Sequence, residues 1–189
     1  MKLFDQVALF LKITGSQTIA RRYFVVNGFD GALTMVGLIT GFYISGGAGT
    51  PVIITACLGT AVALTVSGLT SAYLSELAER RQALRDLETA MISDLAESAH
   101  GKAARLVPAL IGLVNGLAPL LLSLLIISPL WLADKLSLDP LPACLGAALA
   151  VIFFLGIYLG KVSGEFWLWS GLRTLIIALA TCGIILLIG

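Results

Sequence analysis

Five long apolar stretches dominate the chain and are separated by short polar segments. They occupy residues 24–46, 51–74, 106–132, 141–160 and 167–188. Each approaches or exceeds the roughly 20 residues that an α-helix needs to cross the hydrocarbon core of a bilayer. A backbone in lipid must satisfy its hydrogen bonds within a helix or a closed barrel, and these stretches are too long and too uniformly apolar for barrel strands. The pattern therefore predicts an all-α membrane protein with five transmembrane helices.

The longest polar segment is residues 76–105, which has neither Gly nor Pro between positions 75 and 99. We predict that helix 2 extends into this segment as a short helical insertion in the cytoplasm. The insertion would bend near residues 88–93 and return as a short helix that ends at Gly101, since glycine is the common residue after a helix end.

The beginning of the chain is amphipathic. Leu3, Val7, Phe10 and Leu11 share one helical face, while the polar residues lie elsewhere. This arrangement is typical of a helix lying on the membrane surface, and we assign it to residues 1–20. The sequence shows no internal repeat and no cleavable signal peptide. We therefore expect a single membrane domain over residues 1–189.

Charge is scarce and unevenly placed. Only 12% of the residues are charged and 58% are hydrophobic, whereas about 25% of a soluble domain is charged. Of the twelve Lys and Arg residues, Lys135 alone falls in a loop on one side of the predicted membrane. Because basic residues concentrate in cytoplasmic loops, the amino terminus is expected inside and the carboxyl terminus on the opposite side. The formal net charge of +1 hides this asymmetry and says nothing about partners. Separately, we predict no nucleic acid among the partners.

Chemistry typical of enzymes is not evident in the sequence. Cys57, Cys144 and Cys182 are far apart in apolar context and show neither a disulfide pattern nor metal-ligand spacing. There is a single histidine and no nucleophile–base constellation. The glycines of "GLITGFYISGG" do not join a strand to a helix, which excludes a phosphate-binding loop. We therefore predict a protein that is not an enzyme and has no cofactor.

One face of helix 1 is polar inside an apolar segment. Asn27, Asp30, Thr34, Gly37 and Gly41 follow one another at spacings of three and four residues, which places them on one side of a helix. A carboxylate in a membrane costs a few kcal/mol or more and usually faces a bundle interior or a water-filled path. Glycines at this spacing let another helix approach closely. We therefore predict a cation or proton site at Asp30.

A purely structural role for Asp30 is the alternative. Asp30 lies about two turns from Arg21 and Arg22, so it could pair with either residue near the interface or cap a broken helix end.

Helices 2 and 3 carry many hydroxyl and small residues, the usual packing residues of membrane bundles. We assign Gly112 and Gly116 to helix packing together with Gly37 and Gly41. We add Ser67 and Ser71 to Asn27, Asp30 and Thr34 as candidates for a transport path.

The polar insertion offers a second candidate site. Glu76, Glu79 and Asp86 lie on one helical face, and Glu97 and His100 have the Glu-x-x-His spacing of a metal half-site. We predict that Glu76, Glu79, Glu97 and His100 bind metal here, in addition to the cation site predicted at Asp30.

The same residues also fit ordinary helical ion pairs. Glu76 with Arg80, and Arg85 with Glu88, have the spacing of such pairs. A helix with mixed charges is usually a solvated surface.

Several motifs in order resemble the vacuolar iron transporter family of membrane metal transporters, which has five membrane helices. "NGFDGALTMVGLITG" resembles the family's helix 1 signature, and "SGLTSAYLSELAERR" stands where the family has a Ser-Met-Ala-x-Gly-Glu-Tyr type motif. "NGLAPLLLSL" resembles its third helix, and the last 37 residues, from "FFLGIYLGKVSG" onward, resemble its carboxyl end. The resemblance covers nearly the whole chain from Ala20.

The resemblance implies a function. Members of this family move divalent iron or manganese out of the cytoplasm, coupled to protons, as dimers with helix 1 of each protomer lining the path. It implies that Asp30 is the helix 1 acid, that Fe²⁺ or Mn²⁺ and protons are the substrates, and that the partners are a lipid bilayer and a second copy of the chain. The chain differs at Ala72, Gly68 and Thr60, where the family has Glu, Met and Glu.

Two classes of function therefore follow from the sequence. One is a divalent-cation antiporter that works through a dimer interface in a cell or organelle membrane, for these metals or for a different cation. The other is a membrane packing or adaptor protein that keeps the fold without transport.

Overall fold

The computed structural model describes residues 15–136 and 139–188, without the side chains of 133–136. This part of the chain contains five α-helices and no strand: α1 Ser16–Ser45, α2 Thr50–Met91, α3 Ala99–Leu136, α4 Pro140–Ser163 and α5 Trp167–Ile188. All five are long and apolar enough to cross a membrane. The chain is thus an all-α, multi-pass membrane protein, as the hydrophobic pattern predicted.

Helix α1 begins earlier than its apolar stretch predicted. It starts at Ser16, so the polar run "SQTIARR" already belongs to the helix. Ile19, Ala20 and Tyr23 pack against buried residues of other helices in this run, and tertiary contact supports helix where hydropathy is low. Residues 16–20 of the predicted surface helix therefore form the start of α1. The rest of that prediction, residues 1–14, lies outside the described residues.

The connection between α2 and α3 is short. Helix α2 continues to Met91 and α3 begins at Ala99. In between, the Glu88 carboxylate accepts a hydrogen bond from the Leu95 backbone N–H at 3.0 Å. The expectation of a separate returning helix that ends at Gly101 was wrong, because Gly101 lies in the first turn of α3. A side chain at Gly101 would collide with the carbonyl oxygens of Leu95 and Ala96, so close approach of the backbone requires glycine there.

Helix α3 is continuous although it contains Pro108, Pro119 and Pro129. A proline inside a helix deprives the carbonyl four residues earlier of its hydrogen bond. Ser128 Oγ donates to the Leu125 carbonyl at 2.8 Å, which is the acceptor affected by Pro129. A neighbouring hydroxyl thus replaces the missing backbone donor.

The residues group into two compact units. Of the described residues, the first unit combines 15–24 with Thr65–Leu117. Its core is a small apolar cluster of Ala72, Ala103, Val107 and Ile111, against which the first turns of α1 pack.

The second unit combines Val25–Leu64 with Ala118–Gly189. Its core is larger and includes Met35, Ile39, Ile127 and Ile152, all at most 1% exposed. Helices α4 and α5 approach closely at glycines within this unit. A Cβ at Gly160 would lie 2.7 Å from the Ser170 Cβ, nearer than side chains can pack.

Candidate functional site

Two glycines define the side of α1 that faces its own chain. Gly28 and Gly31 are buried. A Cβ built on Gly28 would lie 2.8 Å from the Leu122 Cδ1 atom, and one on Gly31 would lie 2.8 Å from the Cα atom of Pro119. The two glycines of "NGFDG" therefore permit close contact between α1 and α3. Sequence reasoning missed this role, although the Gly-x-x-Gly spacing was a visible signal.

Asp30 lies on a different side of α1 from these glycines and is exposed in the single chain. The Thr34 hydroxyl donates to the Asp30 backbone carbonyl at 2.6 Å, so this hydroxyl is directed along the helix. Asn27, one turn before Asp30, is half-buried. A helix that qualifies as a membrane span thus presents a carboxylate on its outer surface, where lipid alone would solvate it poorly.

The strip that begins at Asp30 continues toward the other end of α1. A Cβ at Gly37 would make an ordinary contact of 3.7 Å with the Ile185 Cδ1 atom, and one at Gly41 would meet no atom of the described residues within 4 Å. The neighbouring Thr40 is buried and donates to the Cys182 sulfur at 3.7 Å. Among the described residues, space therefore remains over Gly41.

The glycines predicted to pack on α3 lie against α2. A Cβ at Gly112 would come within 2.9 Å of the Leu69 carbonyl oxygen, and one at Gly116 within 2.7 Å of the Thr65 carbonyl oxygen. Between them the Asn115 side-chain amide donates to the Gly68 carbonyl at 2.7 Å. Close contacts at small residues and a buried hydrogen bond from the Asn115 side-chain amide thus join these two helices.

The two serines assigned to the transport path are exposed on α2. Ser71 Oγ donates to the Gly68 carbonyl at 3.3 Å. The three cysteines are free thiols and buried.

The predicted ligands of the polar insertion differ in their environment. Glu76 is only 2% exposed, and its Oε2 atom lies 3.4 Å from the Arg80 Nε atom. The helical ion pair between these residues is therefore present, and it joins a buried carboxylate to a half-buried guanidinium. Glu79, Glu97 and His100 are exposed.

The structure does not gather these ligands into one site within a chain. Among the residues that it describes, no group of three or more His, Cys, Asp or Glu side chains could hold a metal ion. The expected ion pair of Arg85 with Glu88 does not occur among the salt bridges of the described residues, since the Glu88 carboxylate binds the Leu95 N–H instead. Metal binding by the insertion stays a prediction.

Taken as a class, five apolar helices joined by short loops define a multi-pass helical membrane protein. The chain is 31% identical over 162 residues to the uncharacterized protein MJ0645 of Methanocaldococcus jannaschii, over 84% of this chain and 83% of that protein. The chain belongs to the family of that protein. No family model matches the sequence, and no solved structure matches it.

Proposed function

We propose that the protein transports a divalent metal cation, of the iron or manganese class, across its membrane. The observation that carries this proposal is the exposed carboxylate of Asp30 within a helix long and apolar enough to span a bilayer. Lipid cannot solvate such a group, so it needs a polar path or a partner. The likeness of "NGFDGALTMVGLITG" to the helix 1 signature of vacuolar iron transporters supports the same function.

A second copy of the chain would complete the site. One carboxylate cannot neutralise a divalent cation, whereas two Asp30 side chains facing each other across a twofold axis can. Carboxylate and carbonyl oxygens suit hard divalent cations, and Asn27 supplies a neutral oxygen one turn away. Two facing carboxylates repel each other unless a proton or a metal lies between them. Exchange of the metal for a proton at this pair would couple export of the metal to proton entry.

Helix α2 is too long to lie wholly within a bilayer. Its 42 residues extend over about 63 Å at 1.5 Å per residue, about twice the roughly 30 Å hydrocarbon core. Arg80, Arg81 and Arg85 lie in its second half, which by the positive-inside rule belongs in the cytoplasm. We infer that this half and the turn before α3 form the cytoplasmic extension.

Thiol labelling tests this topology. In a background without the three native cysteines, Ser93→Cys lies in the exposed turn before α3 and Asp139→Cys in the exposed turn before α4. Because the two turns are joined by one crossing of α3, an impermeant maleimide should label Cys only from the cytoplasmic face in the first variant and only from the opposite face in the second. Labelling of both from one face would contradict the five-span arrangement.

The cytoplasmic extension is proposed to capture the metal before transport. If Glu97 and His100 bind it together with Glu79, His100→Ala should weaken divalent-cation binding by at least about fivefold, because one of few ligands is lost. Isothermal titration of the detergent-purified protein with Mn²⁺ measures this. Asp139→Asn, an exposed acid outside the extension, is the matched control. Equal affinity of the parent and the His100 variant would indicate that the extension is an ordinary solvated surface and does not bind metal.

Flux through sealed proteoliposomes decides between a transporter and a membrane adaptor. Vesicles containing the parent protein are expected to move Mn²⁺ or Fe²⁺ when a proton gradient is imposed, and to acidify the side from which the metal leaves. Protein-free vesicles give the background rate. No flux above this background for several divalent cations, with the protein correctly inserted, would favour the adaptor function.

A further inference from the structure

One side chain joins the beginning of α1 to α2. The Arg80 Nη2 atom donates to the Ser16 Oγ atom at 2.9 Å, while the Nε atom of the same guanidinium lies 3.4 Å from the Glu76 Oε2 atom. Ser16 is the first residue of α1 and is completely buried. The guanidinium therefore bridges a carboxylate on its own helix, α2, and a hydroxyl on the preceding helix, α1.

Both apolar and charged residues lie near this bridge. Ile19, Ala20 and Tyr23 of α1 pack on Ala72, Ala103, Val107 and Ile111, and Arg22 and Glu79 act electrostatically on the Glu76 carboxylate. In such a setting a buried ion pair is no better for stability than well-packed apolar residues, because removing two charges from water costs as much as their attraction returns. The presence of the pair therefore calls for another explanation than stability.

The geometry of the pair supplies an explanation for its presence. Glu76 and Arg80 are four residues apart on the same helix, so their attraction cannot by itself hold two helices together. It can hold the planar guanidinium in one orientation, which leaves a second edge directed at α1. Arginine suits this task because its donors form a rigid fork, whereas the lysine ammonium is a single point charge.

We propose that Arg80 is a positioning residue that fixes the first turns of α1 on α2, and that Glu76 serves to orient it. This inference rests on the proposed transport function, since α1 carries Asn27 and Asp30. Helix α1 is continuous from Ser16 to Ser45, and each residue advances the helix by about 100° of rotation. Arg80 therefore acts at the beginning of the same continuous helix that carries the proposed metal ligands.

Hydrogen–deuterium exchange of residues 16–24 tests the bridge without any assumption about transport. Ser16→Ala removes the acceptor of this bond and retains both side chains of the Glu76–Arg80 pair, whereas Arg80→Met removes the donor and keeps the apolar stem. Both should speed exchange in this peptide about tenfold, the effect of losing one hydrogen bond to a charged group. Arg81→Met, an exposed neighbour, should exchange at the parent rate.

Two further variants keep this test decisive. If Arg80→Met fails to fold because it leaves the Glu76 carboxylate unpaired, Glu76→Gln combined with Arg80→Met removes that charge and is measured in its place. Ser16→Ala combined with Arg80→Met should exchange no faster than either single variant, because both remove the same bond. Parental exchange in Ser16→Ala, or additive effects in the double variant, would overturn the proposal.

The functional effect is measured separately in proteoliposomes. Ser16→Ala and Arg80→Met should raise the Mn²⁺ concentration at half-maximal flux by the same factor, at least about threefold, with Arg81→Met unchanged. Accelerated exchange with unaltered flux parameters would overturn the positioning role. Accelerated exchange in the two variants, together with no Mn²⁺ flux by the parent protein, would support the bridge and refute the proposed transport function instead.

Discussion

Asp30→Asn is expected to abolish metal transport while the protein still folds and dimerises. Asparagine keeps the shape of the side chain and its neutral oxygen but removes the charge that compensates the cation. Loss of a charged ligand corresponds to at least about 2 kcal/mol, or a fall in flux of at least about thirtyfold. Because Asp30 is exposed in the single chain, we expect the substitution to change the stability of the fold little. Mn²⁺ flux into proteoliposomes measures the outcome.

Two controls separate loss of a metal ligand from a general effect of the substitution and from loss of the dimer. Asp139→Asn makes the same change at an exposed acid in the turn before α4, and it should transport at the parent rate. Light scattering after size-exclusion chromatography reports the oligomeric state of each variant. Parent-like flux in Asp30→Asn would refute the proposed mechanism, whereas loss of the dimer would assign Asp30 to the interface alone.

Gly31→Ala is expected to destabilise the membrane bundle strongly for so small a change. The added Cβ atom would lie 2.8 Å from the Cα atom of Pro119 and 2.8 Å from its Cβ atom. A proline backbone within a helix cannot move aside as a flexible side chain would. Overpacking of this kind costs about 1–3 kcal/mol, although alanine is otherwise about 1 kcal/mol better than glycine inside a helix. Thermal unfolding in detergent should show a clear fall in the midpoint temperature.

Gly146→Ala is the matched control for this prediction. Gly146 lies within α4, and a Cβ there would meet no atom within 4 Å in the part of the chain that the structure describes. The same substitution should therefore leave the midpoint unchanged or raise it, because only the helix propensity changes. A similar fall in both variants would show that close contact at Gly31 is not the cause. An unchanged midpoint in Gly31→Ala would contradict the tight packing of α1 on α3.

The number and type of the helices could be predicted from hydropathy alone. The fifth apolar stretch, 167–188, matches α5 at both ends, and the fourth differs from α4 by at most three residues. This success has a local cause, because each segment must satisfy its own backbone in lipid whatever its neighbours are. The starts of α1 and α3 could not be predicted in this way. They lie in polar sequence, where tertiary contacts and the turn after Met91 decide which residues are helical.

Only part of the candidate site could be predicted from the sequence. Spacing placed Asn27, Asp30 and Thr34 on one side of a helix, and this follows from helical geometry. It could not show which side of α1 faces its own chain. The glycines selected for packing, Gly37 and Gly41, have ordinary or open surroundings, whereas Gly28 and Gly31 make the close contacts. The pairing of Glu76 with Arg80 followed from spacing, but its burial and its bridge to Ser16 did not.

The sequence by itself determined that the chain is helical and built to cross a membrane, and that helix 1 carries a polar strip. Only the tertiary structure decided that Asp30 of this strip is exposed, that Gly31 rests on Pro119, and that Arg80 reaches Ser16. The reason lies in the solvent. Lipid tails are as apolar as leucine, so hydrophobicity does not distinguish the inner side of a membrane helix from its outer side. Close packing and buried polar bonds make that distinction, and both depend on residues far apart in the chain.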